Sequence, residues 1–425
     1  MNVKEVIRTY IYSQRKAAIQ LLQQLVQQPS VRGNEGKTQA VVVEKCRQLG
    51  LEMDLWDLEE DATLKSHECF HCDRTNFQGN PNLVAVLRGK GGGKSIILNG
   101  HIDVVPEGNE ADWHVSPYSG VEENGRIYGR GTTDMKGGNV ALLLALEAII
   151  QSEILLKGDV VFQSVIEEES GGAGTLATVL RGYKADGAII PEPTSMKLFP
   201  YQQGSMWFRL HIKGKLAHGG TRYEGVSSLD LAYDVIQVIK QLESKRNEEL
   251  KKDEMYKSVP IPIPINIGVC KTGTWPSSVP DLTILEGRFG VSPYETIQEA
   301  QMELEQQIAK LNAEHEWFRN KPVELEWFGA RWLPSRLDLD HPLMKIVGDN
   351  YRMEKKTEPI VEASPWGTDG GILSTVAEIP VVVFGPGVTE KAHDINEYIV
   401  VDDVLDAAVI IAGSVIDWCE INAEE

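Results

Sequence analysis

The chain has 425 residues and a hydrophobic share of 42%, which fits a soluble globular protein of about two domains. A formal net charge of −20 excludes nucleic acid and anionic membrane as natural partners, because both demand basic patches. Five scattered cysteines make no disulfide framework, no apolar stretch is long enough to span a bilayer, and the charged opening segment does not suit a signal peptide. A cytoplasmic protein is therefore expected.

Residues 3–28 carry Ile7, Ile11, Ala18, Leu21, Leu22, Leu25 and Val26 at helical spacing and predict one amphipathic helix. A loop from Pro29 leads to a second helix over 38–49. Residues 57–81 are polar and irregular. They contain His67, Cys69, His71 and Cys72, but with no second paired half the segment reads as a solvent loop ahead of a structural metal site. A short strand over 82–87 follows, and then the unalternating run Ile96-Ile97-Leu98, which suits a strand buried on both faces of a parallel sheet.

That strand runs into Gly100-His101-Ile102-Asp103-Val104-Val105-Pro106. In extended backbone, residues two apart share a side, so His101 and Asp103 face one space, the crevice at the carboxyl end of a parallel strand. Beyond it, Gly129-Arg130-Gly131-Thr132-Thr133-Asp134-Met135-Lys136-Gly137-Gly138 delivers Asp134 from a tight turn just before an uncharged helix. Neither phosphate-cradling glycine motif is present there.

The next buried-type strand, 159–166, ends in Glu167-Glu168-Glu169-Ser170-Gly171-Gly172 and concentrates like charge beside the crevice unless a cation neutralises it. The strand over 187–190 leads to Pro191-Glu192-Pro193-Thr194, whose prolines hold Glu192 extended. Then the texture changes. Two strand-helix blocks make a small α+β layer, with helices over 227–250 and 296–314, before α/β texture returns with a helix over 341–351, a strand over 380–384 and a final helix after Val401. The expected organisation is an α/β catalytic domain with a mostly parallel sheet, residues 1–202 and 329–425, interrupted by an inserted α+β domain, residues 203–328.

The pairing of Gly-His-x-Asp-Val-Val-Pro with Gly-Arg-Gly-x-x-Asp-Met-Lys-Gly-Gly resembles the dinuclear zinc amidohydrolases of the M20 group, whose members include acetylornithine deacetylase, succinyl-diaminopimelate desuccinylase, aminoacylase-1 and the glutamate carboxypeptidases. The segment Ala392-His393-Asp394-Ile395-Asn396-Glu397 is similar to that family's closing motif. Carried onto this sequence, the resemblance implies one metal held by His101, Asp134 and Glu192 and another by Asp134, Glu169 and His393, with Asp134 bridging. Zinc is the first expectation, and the same N/O sites accept cobalt or manganese.

The resemblance also implies that Asp103 orients His101 and that Glu168 is the general base, although a register shift of one would exchange the acids. It makes His218, in the inserted lid and dimerisation domain, an oxyanion donor in a homodimer, despite a departure from the family pattern at Gly219-Gly220-Thr221-Arg222. Arg288, two positions earlier than the family's carboxylate-binding arginine, keeps its strand face and is either that group or a surface residue. The implied activity is hydrolysis of a small N-acyl amino acid amide. Acetylornithine deacetylation stands first because of Glu192-Pro193-Thr194, with desuccinylase, aminoacylase or dipeptidase activity as alternatives. A catalytically silent scaffold that binds amino acid derivatives is the reading from another class.

Overall fold

A computed structural model of the chain describes residues 2–60 and 62–422. The chain divides into two compact units. One comprises Met1–Pro200, Ser335–Ser364 and Thr368–Glu425, and the other Tyr201–Pro334 with Pro365–Gly367. The second unit therefore runs past residue 328, because the strand Glu324–Trp332 pairs with Gly204–Lys213 inside it.

The large unit is built on a mixed nine-stranded sheet. Its centre is parallel: Val160–Val165, Ile96–His101, Ala188–Ile190 and Val381–Val383 lie side by side. These segments are buried on both faces, which suits their unalternating apolar runs Ile96-Ile97-Leu98, Val160-Val161-Phe162, Ala188-Ile189-Ile190 and Val381-Val382-Val383. The flanks are antiparallel. Glu52–Trp56 pairs with Asn82–Leu87, which pairs with Val160–Val165, and Leu198–Gln202 runs against Val381–Val383 on the other side. The helix Gly137–Gln151 is buried almost all round and packs on the final helix, Val401–Cys419. Among the described residues no helix is long and apolar enough to cross a membrane.

The N-terminal segment is two helices, Val3–Ser13 and Arg15–Val26, where one was expected. At the joint the Ser13 hydroxyl donates to the Tyr10 carbonyl at 2.6 Å, a local bond that competes with the helical ladder.

The small unit is a four-stranded antiparallel sheet ordered Ile265–Thr272, Leu282–Val291, Gly204–Lys213, Glu324–Trp332, accompanied by the helices Ser228–Leu250 and Ile297–Glu314. Along Gly204–Lys213 the residues Met206, Phe208, Leu210 and Ile212 are buried while the alternate positions are more open, the period-2 pattern of a sheet covered on one face. The strand Glu324–Trp332 has a blurred pattern because Gly329 adopts a left-handed φ of 62° and shifts the register between Phe328 and Arg331.

Two close backbone approaches fix the end of the strand Ala188–Ile190. A Cβ added at Gly138 would overlap the Pro191 carbonyl oxygen, and one added at Gly385 would overlap the backbone of Pro191 and Glu192. Overpacking of this kind costs about 1–3 kcal/mol. Gly138→Ala should lower the urea midpoint by a corresponding amount, and an unchanged midpoint would contradict the tight seating of Pro191-Glu192-Pro193.

Candidate metal centre

His101 is the last residue of its strand and almost completely buried. Its Nδ1 lies 2.9 Å from the Asp103 carbonyl oxygen and 3.6 Å from the Asp103 carboxylate, so Nδ1 carries the proton and Nε2 is left as the coordinating nitrogen. The Asp103 carboxylate in turn accepts the backbone N–H groups of Glu168, at 3.3 Å, and Glu169, at 3.1 Å. Asp103 thus joins the histidine to the acidic turn on the neighbouring parallel strand. Asn139, in the first turns of the buried helix, donates to the His101 carbonyl at 2.6 Å.

Asp134 sits in the turn Thr132–Lys136 with non-helical φ and ψ, and the Asp134–Met135 peptide is cis. Its loop is held by a residue far away in sequence. The fully buried Glu397 carboxylate accepts the N–H groups of Gly131 and Thr133, both at 2.9 Å, and of Asp134 itself at 3.1 Å. Burial raises the Glu397 carboxyl to about 7 against the opposing pull of Arg130. The buried Lys136 ammonium donates to the carbonyls of Leu25 and Gln28, and burial pushes it down to about 7.

Around Asp134 the side chains form two groups. The His101 Nε2 is 3.2 Å from Asp134 Oδ1 and 3.8 Å from Glu192 Oε1. The His393 Nε2 is 3.2 Å from Asp134 Oδ2 and 3.1 Å from Glu169 Oε2. Each group offers one imidazole nitrogen and carboxylate oxygens, they share Asp134, and the donor set fits a pair of divalent cations. Among the described residues, His101, Asp134 and Glu169 are the one set of three or more metal-ligating side chains whose donor atoms lie within 4.8 Å of one another.

The segment with His67, Cys69, His71 and Cys72 makes no such cluster. It braces the acidic turn instead. The Cys72 thiol donates to Glu167 Oε2 at 3.1 Å, and Arg74 bonds both Glu167, at 2.6 Å, and Glu35, at 2.7 Å, two carboxylates with fully buried side chains. Glu167, in a left-handed conformation (φ 65°), leads into Glu168 and Glu169.

The electrostatics follow from burial. It pushes Glu168, Glu192 and Glu169 upward, with neighbouring carboxylates adding to the effect and the histidines opposing it. Burial works against the charge on Asp134 too, but His101 and His393 hold its carboxyl well below the usual range. His393 reaches about 11, since Asp134 and Glu169 outweigh its desolvation. Asp369 also belongs to this environment: almost fully buried, it accepts from the Thr175 hydroxyl at 2.7 Å, and burial raises it to about 7.

His218 and Arg288 belong to the second unit. His218 is exposed in a two-residue strand paired with Ser278–Val279, and its Nδ1 accepts the Gly220 N–H at 3.0 Å, which puts the ring proton on Nε2. Arg288 donates to Gln203 Oε1 at 3.4 Å and has no carboxylate partner among the described residues. Its side chain is half-buried, and desolvation lowers its guanidinium to about 10.

Residues 97–417 match the model of peptidase family M20/M25/M40. The chain belongs to that family. It is 30% identical over 418 residues to the N-formyl-4-amino-5-aminomethyl-2-methylpyrimidine deformylase of Bacillus subtilis strain 168, covering 93% of this chain and 92% of that protein. It is 28% identical over 410 residues to a probable succinyl-diaminopimelate desuccinylase of Staphylococcus aureus strain MSSA476, covering 90% and 93%. The fold is similar to that of a tripeptidase from Staphylococcus aureus subsp. aureus Mu50, with a TM-score of 0.74, 23% identity and coverage of 95% and 98%. The chain is an enzyme of the amidohydrolase type found in this family.

Reading the sequence missed Arg74, Arg130, Lys136, Asp369 and Glu397. A signal existed for three of them: Arg130 and Lys136 lie in the Gly-rich motif and Glu397 in the closing one. Coordination requires neutral imidazole, so a divalent ion entering this centre must displace the His393 proton. Calorimetric titration of zinc into chelator-treated protein should therefore show at least one proton released per molecule, and affinity that falls as the pH is lowered. Binding independent of pH between about 6 and 8 would contradict this arrangement.

Proposed function

We propose that this enzyme hydrolyses the amide of a small N-acylated amine with two divalent ions, zinc first, seated between His101 and His393. The observation that carries the reading is the pair of histidine–carboxylate groups sharing Asp134, with Glu168 beside them. When bound, such a metal pair activates a water molecule and polarises the scissile carbonyl.

The chain's own residues do the rest. Glu168 takes the proton of the attacking water and passes it to the leaving amine. Its burial raises the carboxyl well above the usual carboxylate range, which suits a group that must both accept and release a proton. Asp103 keeps His101 in one tautomer. The His218 Nε2–H is a suitable donor to the oxyanion, and its exposure suits a role in the partner subunit of a homodimer formed through the second unit. Arg288, half-buried and without a carboxylate partner among the described residues, suits an anionic or electron-rich substrate group.

For the acyl group, the similarity to a deformylase over nearly the whole of both chains favours a formamide of a small aminomethyl-bearing heteroaromatic. Acetylornithine, first expected from Glu192-Pro193-Thr194, has no such support. Turnover on a panel of N-formyl, N-acetyl, N-succinyl and dipeptide substrates tests the choice, and the N-formyl member should lead. A preference for N-acetylornithine would overturn it.

Glu168→Gln should keep both ions and lose kcat by about 10²- to 10⁴-fold, whereas Glu169→Ala should lose metal. The reverse pattern would show that the two roles are exchanged. In wild type, activity should rise from acid toward neutral pH as Glu168 ionises. Mixing His218→Ala with Glu168→Ala under subunit exchange should restore about a quarter of wild-type activity, since half of the dimers are mixed and each has one intact site. No recovery, with exchange verified, would place His218 in its own chain's site.

A further inference from the structure

Arg130 and Glu397 form a buried ion pair at 2.7 Å. Glu397 holds the loop of Asp134 through three backbone N–H groups, as described above. Arg130 reaches the other way: its guanidinium donates to the carbonyls of Asp394, at 3.2 Å, His393, at 3.4 Å, and Pro106, at 3.3 Å. The two side chains thus clasp the Asp134 loop to the His393 loop, and both to the end of the segment that starts at His101.

The candidate ligands do not depend on this clasp equally. His101 terminates a buried strand, its ring is fixed by Asp103, and its carbonyl is held by Asn139. Glu192 is seated between close backbone approaches at Gly138 and Gly385. His393 has neither kind of support. Its side chain is half-exposed, at 51%, its backbone is left-handed (φ 63°), and the ring contacts are Asp134 and Glu169. Among the described residues, Arg130 is what ties the His393 carbonyl to the rest of the centre apart from those contacts.

Resting on the two-ion reading above, we infer that the Arg130–Glu397 pair is a positioning element specific to one metal position, the one formed by Asp134, Glu169 and His393. Loss of the clasp disturbs two of the three ligands there and one of the three at the position formed by His101, Asp134 and Glu192. The pair makes no contact with substrate in this account. Its effect is to set how far His393 stands from Asp134, and so whether the second ion binds at the concentration that saturates the first.

The test is a calorimetric titration of zinc alone into chelator-treated, full-length wild type, Glu397→Gln and Arg130→Lys. Glu397→Gln keeps the shape but turns an amide N–H₂ toward N–H donors. Arg130→Lys keeps the charge but loses the fork that spans the His393, Asp394 and Pro106 carbonyls. In both variants one binding step should weaken by about 10- to 100-fold, the usual effect of removing such a supporting group, while the other changes by less than about threefold. Anomalous diffraction at the zinc edge should then find the retained ion beside His101 and Glu192.

Equal weakening of both steps, the outcome of a merely structural role, would overturn the inference, as would two steps of wild-type affinity or a retained ion beside His393. If Glu397→Gln fails to fold, Arg130→Lys carries the same expectation. A wild type that takes up no zinc would instead overturn the two-ion reading itself, and that result is distinguishable from the others.

Discussion

The structure depends on one electrostatic constraint: Asp103, Asp134, Glu168, Glu169, Glu192 and Asp369 are gathered around two imidazoles in a largely buried space. Two like charges about 5 Å apart at an effective dielectric of about 20 repel by about 3 kcal/mol, so several such pairs are a large fraction of a domain's net stability. The parallel centre of the sheet creates the problem and gives it a use. Neighbouring strands end at His101, before Glu168 and Glu169, and before Glu192, and so deliver their polar residues to one edge.

Nearby carboxylates are treated differently according to role. Those that brace the scaffold are neutralised by arginine: Glu397 by Arg130, Glu167 by Arg32 and Arg74, Glu35 by Arg74. Among the described residues no arginine or lysine pairs with Asp134, Glu169 or Glu192, which meet only histidines. An arginine there would satisfy the charge permanently. In the two-ion proposal that charge is left to exchangeable cations, while the braces keep the loops from relaxing outward.

What was legible in the sequence is what has a local pattern. His101, Asp134, Glu169 and Glu192 each follow an apolar strand or open a Gly-rich turn, and a buried strand must end at the sheet edge. The helices over 227–250 and 296–314 follow from their periodicity in the same way. Arg130–Glu397 was illegible because its partners are 267 residues apart and nothing at either end announces the other. The strand Glu324–Trp332 was obscured by the left-handed Gly329, and the break in the N-terminal helix by an apolar phase that continues across it. The segment over 57–81 reads as a solvent loop, with a metal site as the lesser alternative, because ligand types can be counted in a sequence. Whether they converge cannot be, and here Arg74 and Cys72 turn toward Glu167.

The central claim is that two cations, and not protons alone, balance this cluster, with Asp134 between them. X-ray absorption at the edge of the bound metal tests it most directly. Two ions per chain are expected in N/O environments, each with one histidine and with a metal neighbour at about 3.5 to 4 Å. A single ion with no metal neighbour, or a sulfur-containing shell drawn from Cys69 and Cys72, would contradict it.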